Sequence, residues 1–335
     1  MFQFKTILKS LFLASLLFST NSFYAFTAAA DEKYASIVID ADTDEVLHAR
    51  FADDRRYPAS LTKVMTLYML FDAIKAGDIG LKDQLKVSRY ADRQPPSALG
   101  IRAGKTIRVE DAIYALITKS ANDVAVVVAE RIGGNEKRFA TLMTVKARSL
   151  GLTGTSFFNP HGLPDKRQIT TARDMAKLAK AMLTDHADYY HYFARQNFRW
   201  GKNRYKNHNK LLGTVDGVDG IKTGYTRASG FNLMASAKRG DKRVIAIMLG
   251  GNSARARNAH VTDLIEAAFT TIEANPSDLN LADGAEKSAP KIAFAELRAA
   301  TREHTPGVAQ SFVRPLPPIA QGASQEGEGD TDTPP

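Results

Sequence analysis

The sequence predicts an α+β fold: an antiparallel sheet assembled from both ends of the folded region, with flanking helices and a helical insertion. Three observations carry this. Near the amino terminus "YASIVIDADTDEVLHAR" alternates around Ile37 and Ile39, turns at Asp40 to Asp44 and resumes at Val46, the pattern of a hairpin. From Val218 onward "VDGIKTGYT", "FNLMASAKRG" and "KRVIAIMLGG" read as three strands, the last two joined by a tight Gly240–Asp241 turn. Between the two strand groups the apolar spacing changes to a helical period. Strands at both ends with helices between them favour one antiparallel sheet over alternating βαβ units.

Taken in chain order, the first element is not part of that fold. Residues 1–30 carry Lys5 and Lys9, then an apolar run, then small residues ending in "AAA". This is the layout of a secretory signal peptide, with cleavage expected after Ala30. The apolar run is shorter than the roughly 20 residues a bilayer span needs, which argues against an uncleaved anchor. The mature chain is therefore expected to be exported and soluble.

After the hairpin, a helix begins near Pro58, an allowed first-turn position for proline. Pro95–Pro96 breaks the stretch that follows. From Arg108 to Ile132 two apolar helical segments flank "KSANDV" and stop at Gly133–Gly134. Asn135 caps a helix with Phe139, Leu142 and Met143 on one face, ended by Gly151. Thr171 and Asp174 form a capping box before Met175, Leu178 and Met182. A helix from about Ser253 to Ile272 closes the folded domain, 31–273. Beyond it, "PSDLNLADGAEKSAPK" and "RPLPPIAQGASQEGEGDTDTPP" are rich in Pro, Gly, Ser and acids. Residues 274–335 are thus expected to form a low-complexity, mostly disordered tail, with "IAFAELRAATRE" a transient helix at most.

Composition narrows the chemistry. With no cysteine there are no disulfides, thiol nucleophiles or thiolate metal sites. The seven histidines form no HExxH or HxH pair, so zinc peptidase chemistry has no support and no cofactor is expected. The net charge of +9 suits attraction to anionic wall polymers or membrane surfaces, as well as plain solubility. The stretch "RQNFRWGKNRYKNHNK" around Trp200 interleaves basic and aromatic residues, a pattern that can mark a nucleic-acid surface. Export argues against that partner, and the stretch reads as exposed strands and a turn near the cleft.

Three short motifs carry the chemistry. In "YPASLTKVMTLYMLF", Ser60 and Lys63 stand three apart at a helix start, hence on one face. A serine hydroxyl needs a base to become a useful nucleophile, and lysine serves only if burial or a neighbouring cation holds it neutral. The pair alone decides nothing: Ser-x-x-Lys recurs at Ser288 and Lys291, where Pro290 would break any helix joining them. The second motif is Ser120-x-Asn122 between the two apolar helical segments. The third is Lys222–Thr223–Gly224 on a strand, where Lys222 supplies a second cation able to depress the Lys63 pKa and Gly224 lets a ligand backbone lie close. Ser-x-x-Lys, Ser-x-Asn and Lys-Thr-Gly in this order form a specific signal.

At these residues the sequence resembles the low-molecular-mass penicillin-binding proteins that act as serine-type D-alanyl-D-alanine carboxypeptidases, peptidase family S11. The resemblance runs from about Tyr34 to Ile272 and extends to "SANDVAVVVAERIGG", "FFNPHGLPD" and "TTARDMAKLAKAML". It implies a β-lactamase/transpeptidase-like fold, a periplasmic location, peptidoglycan stem peptides as substrate and β-lactam antibiotics as covalent inhibitors. It implies Ser60 as the acylated nucleophile, Lys63 as its proton acceptor and Ser120 as a relay to the leaving D-alanine. Asn122 would hydrogen-bond the substrate amide, and Lys222 and Thr223 would engage the substrate carboxylate and the Ser120 hydroxyl. The backbone N–H groups of Ser60 and Tyr225 would form the oxyanion hole. An arginine of "SARARN", Arg257 or else Arg255, would hold the terminal carboxylate.

Rival readings are a class A-like β-lactamase, a D,D-endopeptidase and a catalytically idle wall-binding protein. The first needs a deacylating glutamate, and none occurs between Glu136 and Glu266. The second shares the same motifs and stays open. The third has no use for the Ser60–Lys63 pair. Many family members also carry a second β-rich domain and an amphipathic membrane-tethering helix, and the sequence after Asn275 shows neither pattern.

Overall fold

The two strand groups meet in one five-stranded antiparallel sheet. It is seen in a computed structural model that describes residues 33–274, so the predicted signal segment and all but the first residue of the predicted tail lie outside the described residues. The strand order is β2 (Val46–Arg50), β1 (Ala35–Asp40), β9 (Lys242–Gly251), β8 (Gly230–Arg239), β7 (Val218–Thr226). The β1–β9 ladder, which sets Ile37 opposite Ile247 and Ile39 opposite Ile245, joins the chain ends. Two small antiparallel pairs lie apart from the sheet: β3 (Gln84–Lys86) with β4 (Thr106–Arg108), and β5 (Asn197–Trp200) with β6 (Asn203–Lys206).

The helices are α1 (Thr62–Lys75), α2 (Arg89–Asp92), α3 (Val109–Tyr114), α4 (Asn122–Gly133), α5 (Glu136–Ser149), α6 (Ala172–Asp185), α7 (Ala187–Tyr190) and α8 (Ala254–Glu273). Every residue of β1 is buried, as is β9 from Val244 onward, so helices cover both sheet faces. Ile37, Ile39, Ile245 and Ile247 join a core with Met175 and Leu178 of α6. α8 packs on β9 and β8.

The helix behind the first motif is deeply placed. α1 is buried on all sides from Thr62 to Phe71, with Thr62, Lys63 and Thr66 the polar residues among otherwise largely apolar ones. Each Leu or Phe so buried contributes roughly 1.5–3 kcal/mol relative to exposure. Ser60 sits just before it, in a 3-10 turn (Ala59–Leu61) rather than in the α-helix itself.

The two predicted caps form: Asn135 accepts from Arg138 N at 2.8 Å and Thr171 from Asp174 N at 3.0 Å. Ser253, read only as the start of the last helix, also caps it by accepting from Ala256 N at 3.1 Å. Such caps typically stabilise a helix by about 1 kcal/mol each. The reciprocal half of the predicted Thr171–Asp174 box does not form. The Asp174 carboxylate accepts instead from Gly154 N and the Thr155 hydroxyl, tying the preceding loop to α6.

Candidate active site

The backbone around Ser60 is shaped by close approaches from distant segments. Ala59 adopts a left-handed conformation (φ +46°), a costly state for a residue with a Cβ that only its surroundings can hold. Those surroundings are two glycines and an asparagine. Gly162 (φ +86°) lies so near that a Cβ there would stand 1.8 Å from the Ala59 carbonyl oxygen. A Cβ on Gly224 would come within 3.0 Å of Ser60 N, so this glycine admits the nucleophile's own backbone rather than only a ligand's. Asn232, fully buried on β8, donates to the carbonyls of Tyr57 and Pro58.

Lys63 projects from the first turn of α1 and is fully buried. Its Nζ lies 3.3 Å from Ser60 Oγ, 2.8 Å from Asn122 Oδ1 and 2.6 Å from the His161 carbonyl oxygen. The last two are acceptors only and take two N–H bonds. In a neutral amine the third direction is a lone pair, and it faces Ser60. Burial holds the Lys63 pKa well below the ordinary lysine value; the Lys222 cation pushes the same way, and Asp123 opposes both. Asn122 is oriented for this contact because its Nδ2 donates to the Pro95 carbonyl at 2.9 Å.

The second motif lies at a break between helices. After α3 the chain passes through a π-helical turn (Ala115–Lys119), and Ser120 ends it in a left-handed conformation (φ +58°) before α4 begins. π-turns often mark functional sites because they re-aim the residue that follows. The Pro95–Ser97 loop braces the break: Ser97 Oγ donates to the Lys119 carbonyl, and Asn122 N donates to the Ser97 carbonyl. Ser120 Oγ is buried, lines the cleft and has no hydrogen-bond partner among the described residues. A buried hydroxyl left unpaired is costly unless a substrate completes it.

The third motif forms the opposite wall. Lys222, 1% exposed, has its pKa pushed down to about 7, first by burial and then by the Arg257 guanidinium. Lys222 Nζ donates to the Thr223 carbonyl at 2.9 Å, and the structure does not bring it into a hydrogen bond with the Ser120 hydroxyl. Thr223, Gly224 and Tyr225 line the cleft of about 310 Å³, with the Tyr225 ring 4.2 Å from that of Phe231. Arg257 also lines it, held by the Asn232 carbonyl and by Asn258 Oδ1, whereas Arg255 is exposed and outside the lining.

Sequence reasoning missed four contributors. The His161 ring fixes its loop: Leu163 N donates to Nδ1, and Nε2 lies 3.0 Å from Glu136 Oε1. Its carbonyl, which positions Lys63, left no trace in the sequence. Glu136 is engaged by both His161 and the Tyr90 hydroxyl, behind the cleft rather than in it. Asn232 lay unnoticed within a strand. His208 stands at the cleft rim, where loss of hydration and the surrounding Lys222, Lys119, Lys210 and Lys63 push its pKa down.

Nucleophile, buried amine, unpaired hydroxyl and cationic wall thus converge on one cleft suited to acyl transfer from a peptide ending in a carboxylate. The comparisons agree with that geometry. Over 252 residues the chain is 36% identical to the D-alanyl-D-alanine carboxypeptidase DacF of Bacillus subtilis, covering 74% of this chain but only 64% of that relative. Its fold resembles penicillin binding protein 5 from Haemophilus influenzae (TM-score 0.68, 33% identity, 70% of each chain). It also resembles penicillin-binding protein D2 from Listeria monocytogenes, solved in an ampicillin-bound form (TM-score 0.62, 29% identity, 70% of this chain and 96% of that one). Residues 25–253 match the peptidase S11 family, described as D-alanyl-D-alanine carboxypeptidase. The chain belongs to that family.

Proposed function

We propose that the protein is a serine D,D-carboxypeptidase that removes the terminal D-alanine from peptidoglycan stem pentapeptides through an acyl-enzyme. The observation that carries this reading is the buried Lys63 amine, with two contacts on pure acceptors and its third on Ser60 Oγ. Ser60 attacks the penultimate carbonyl while its proton passes to Lys63. Arg257, Lys222 and Thr223 hold the terminal carboxylate. The proton taken up by Lys63 passes through the free Ser120 hydroxyl to the departing D-alanine nitrogen. Water then cleaves the ester, giving its proton to Lys63 and from there back to Ser60 Oγ. A positioned general base of this kind typically contributes 10²–10⁴-fold.

β-Lactams fit the same cleft as covalent inhibitors, in keeping with the ampicillin-bound Listeria relative. The signal-like amino terminus supports a periplasmic site of action. The test is to incubate purified protein with a stem pentapeptide and with a crosslinked stem dimer, then identify the products. Free D-alanine from the pentapeptide is the expected result. Cleavage of the dimer alone would replace this reading with the D,D-endopeptidase one.

A further inference from the structure

The β5–β6 hairpin carries a charge arrangement that the cleft chemistry does not use. Its register sets Arg199 directly opposite Arg204 and Asn197 opposite Lys206. Like charges in a direct cross-strand pair destabilise a hairpin. Both arginines are exposed, and among the described residues Arg199, Lys202, Arg204, Lys206 and Lys210 make no ion pair. No carboxylate occurs in the sequence between Asp188 and Asp216.

The other face of the hairpin is anchored. Phe198 stacks on Tyr114 with ring centroids 5.8 Å apart, and Lys119 lies over the Tyr205 ring at 5.0 Å. The basic face is therefore presented on a fixed element. Beside it is a polar depression of about 410 Å³ lined by Arg204, Lys206 and Lys210 with the amides of Gln196 and Asn197. Asn207 and Asn209 in its wall donate their amide N–H groups to the Arg195 and Gly220 carbonyls. Cations and amide groups with no carboxylate among them suit an anion. The depression also adjoins the cleft. Its wall residues Asn207 and Asn209 flank His208 on the cleft rim, and Asn209 Nδ2 donates to the Gly220 carbonyl, two residues before Lys222.

We propose that the β5–β6 hairpin and this depression form an anion-binding site that holds carboxylates of a peptidoglycan strand beside the cleft. The proposal rests on the D,D-peptidase reading, because a polymer with one stem in the cleft brings further free stem carboxylates to its rim. The site raises the residence of the polymer without touching the reacting atoms.

The test uses the full chain and the triple variant Arg199→Gln, Arg204→Gln, Lys206→Gln. Pelleting with purified insoluble peptidoglycan should weaken about tenfold in the variant, and binding by the parent should fall with added salt. Turnover of a soluble pentapeptide should be the same in both proteins. A second variant, Arg199→Glu, converts the opposed arginines into an ion pair. It should raise the melting midpoint by about 1–2 °C while weakening pelleting, a trade-off expected of a pair kept for binding. Equal pelleting by parent and triple variant overturns the proposal. So does loss of binding to phosphatidylglycerol vesicles with pelleting intact, which would assign the face to a membrane. If neither protein cleaves the pentapeptide yet pelleting still depends on these residues, the D,D-peptidase reading fails and the polymer site stands.

Discussion

Lys63 Nζ stands 3.3 Å from Ser60 Oγ, the longest of its three contacts and the only one to a group that can give up a proton. Two shorter bonds to fixed acceptors orient the amine, and the looser third leaves Ser60 free to move toward a carbonyl. Ser60→Ala should abolish covalent labelling by fluorescent penicillin while changing stability by no more than about 1.5 kcal/mol. Lys63→Ala should slow acylation by roughly 10²–10⁴-fold. Undiminished labelling of the Ser60 variant would remove it as the nucleophile.

Lys222 links the cleft to the pH dependence of stability. Its folded pKa is depressed to about 7, so between there and the ordinary lysine value the unfolded chain binds more protons than the folded one. The burial penalty is full below that window and fades as pH rises through it. Stability should therefore climb by up to about 1.4 kcal/mol per pH unit from this one group. Denaturant unfolding of parent and Lys222→Met across the window should show a shallower slope for the variant. Parallel profiles would contradict the assignment.

Gly162 tests how tightly the nucleophile's backbone is held. Gly162→Ala forces a Cβ to 1.8 Å from the Ala59 carbonyl at a left-handed φ, so both penicillin labelling and the fold around Ser60 should suffer. Gly104→Ala also meets a positive φ but has open space, and should cost only about 1–2 kcal/mol with labelling retained. Equal effects of the two would mean that Gly162 matters for its torsion alone.

Glu136 separates this site from a β-lactamase. Its carboxylate is engaged by Tyr90 and His161 behind the cleft, where it positions the loop that supplies the His161 carbonyl to Lys63. Glu136→Ala should lower stability by about 1–3 kcal/mol and leave the lifetime of the penicilloyl adduct unchanged. A much longer-lived adduct would instead identify Glu136 as a deacylating base.

Local rules made much of the fold legible. The i, i+3 spacing of Ser60 and Lys63, the caps at Asn135, Thr171 and Ser253 and the Gly240–Asp241 turn all act over a few residues, so the sequence determined them by itself. The alternation at both chain ends likewise determined that a sheet must close between them. Tertiary structure alone decided what meets those elements. Lys63 and the His161 carbonyl are 98 positions apart, and any residue's carbonyl could have filled that place. The choice of Arg257 over Arg255 depends on which face of α8 turns to the cleft. The unpaired Ser120 hydroxyl and the left-handed Ala59 depend on segments packing close enough to leave one polar group open and to force one backbone angle. Contacts between distant segments are set by the packing of the whole core, which no short window of sequence encodes.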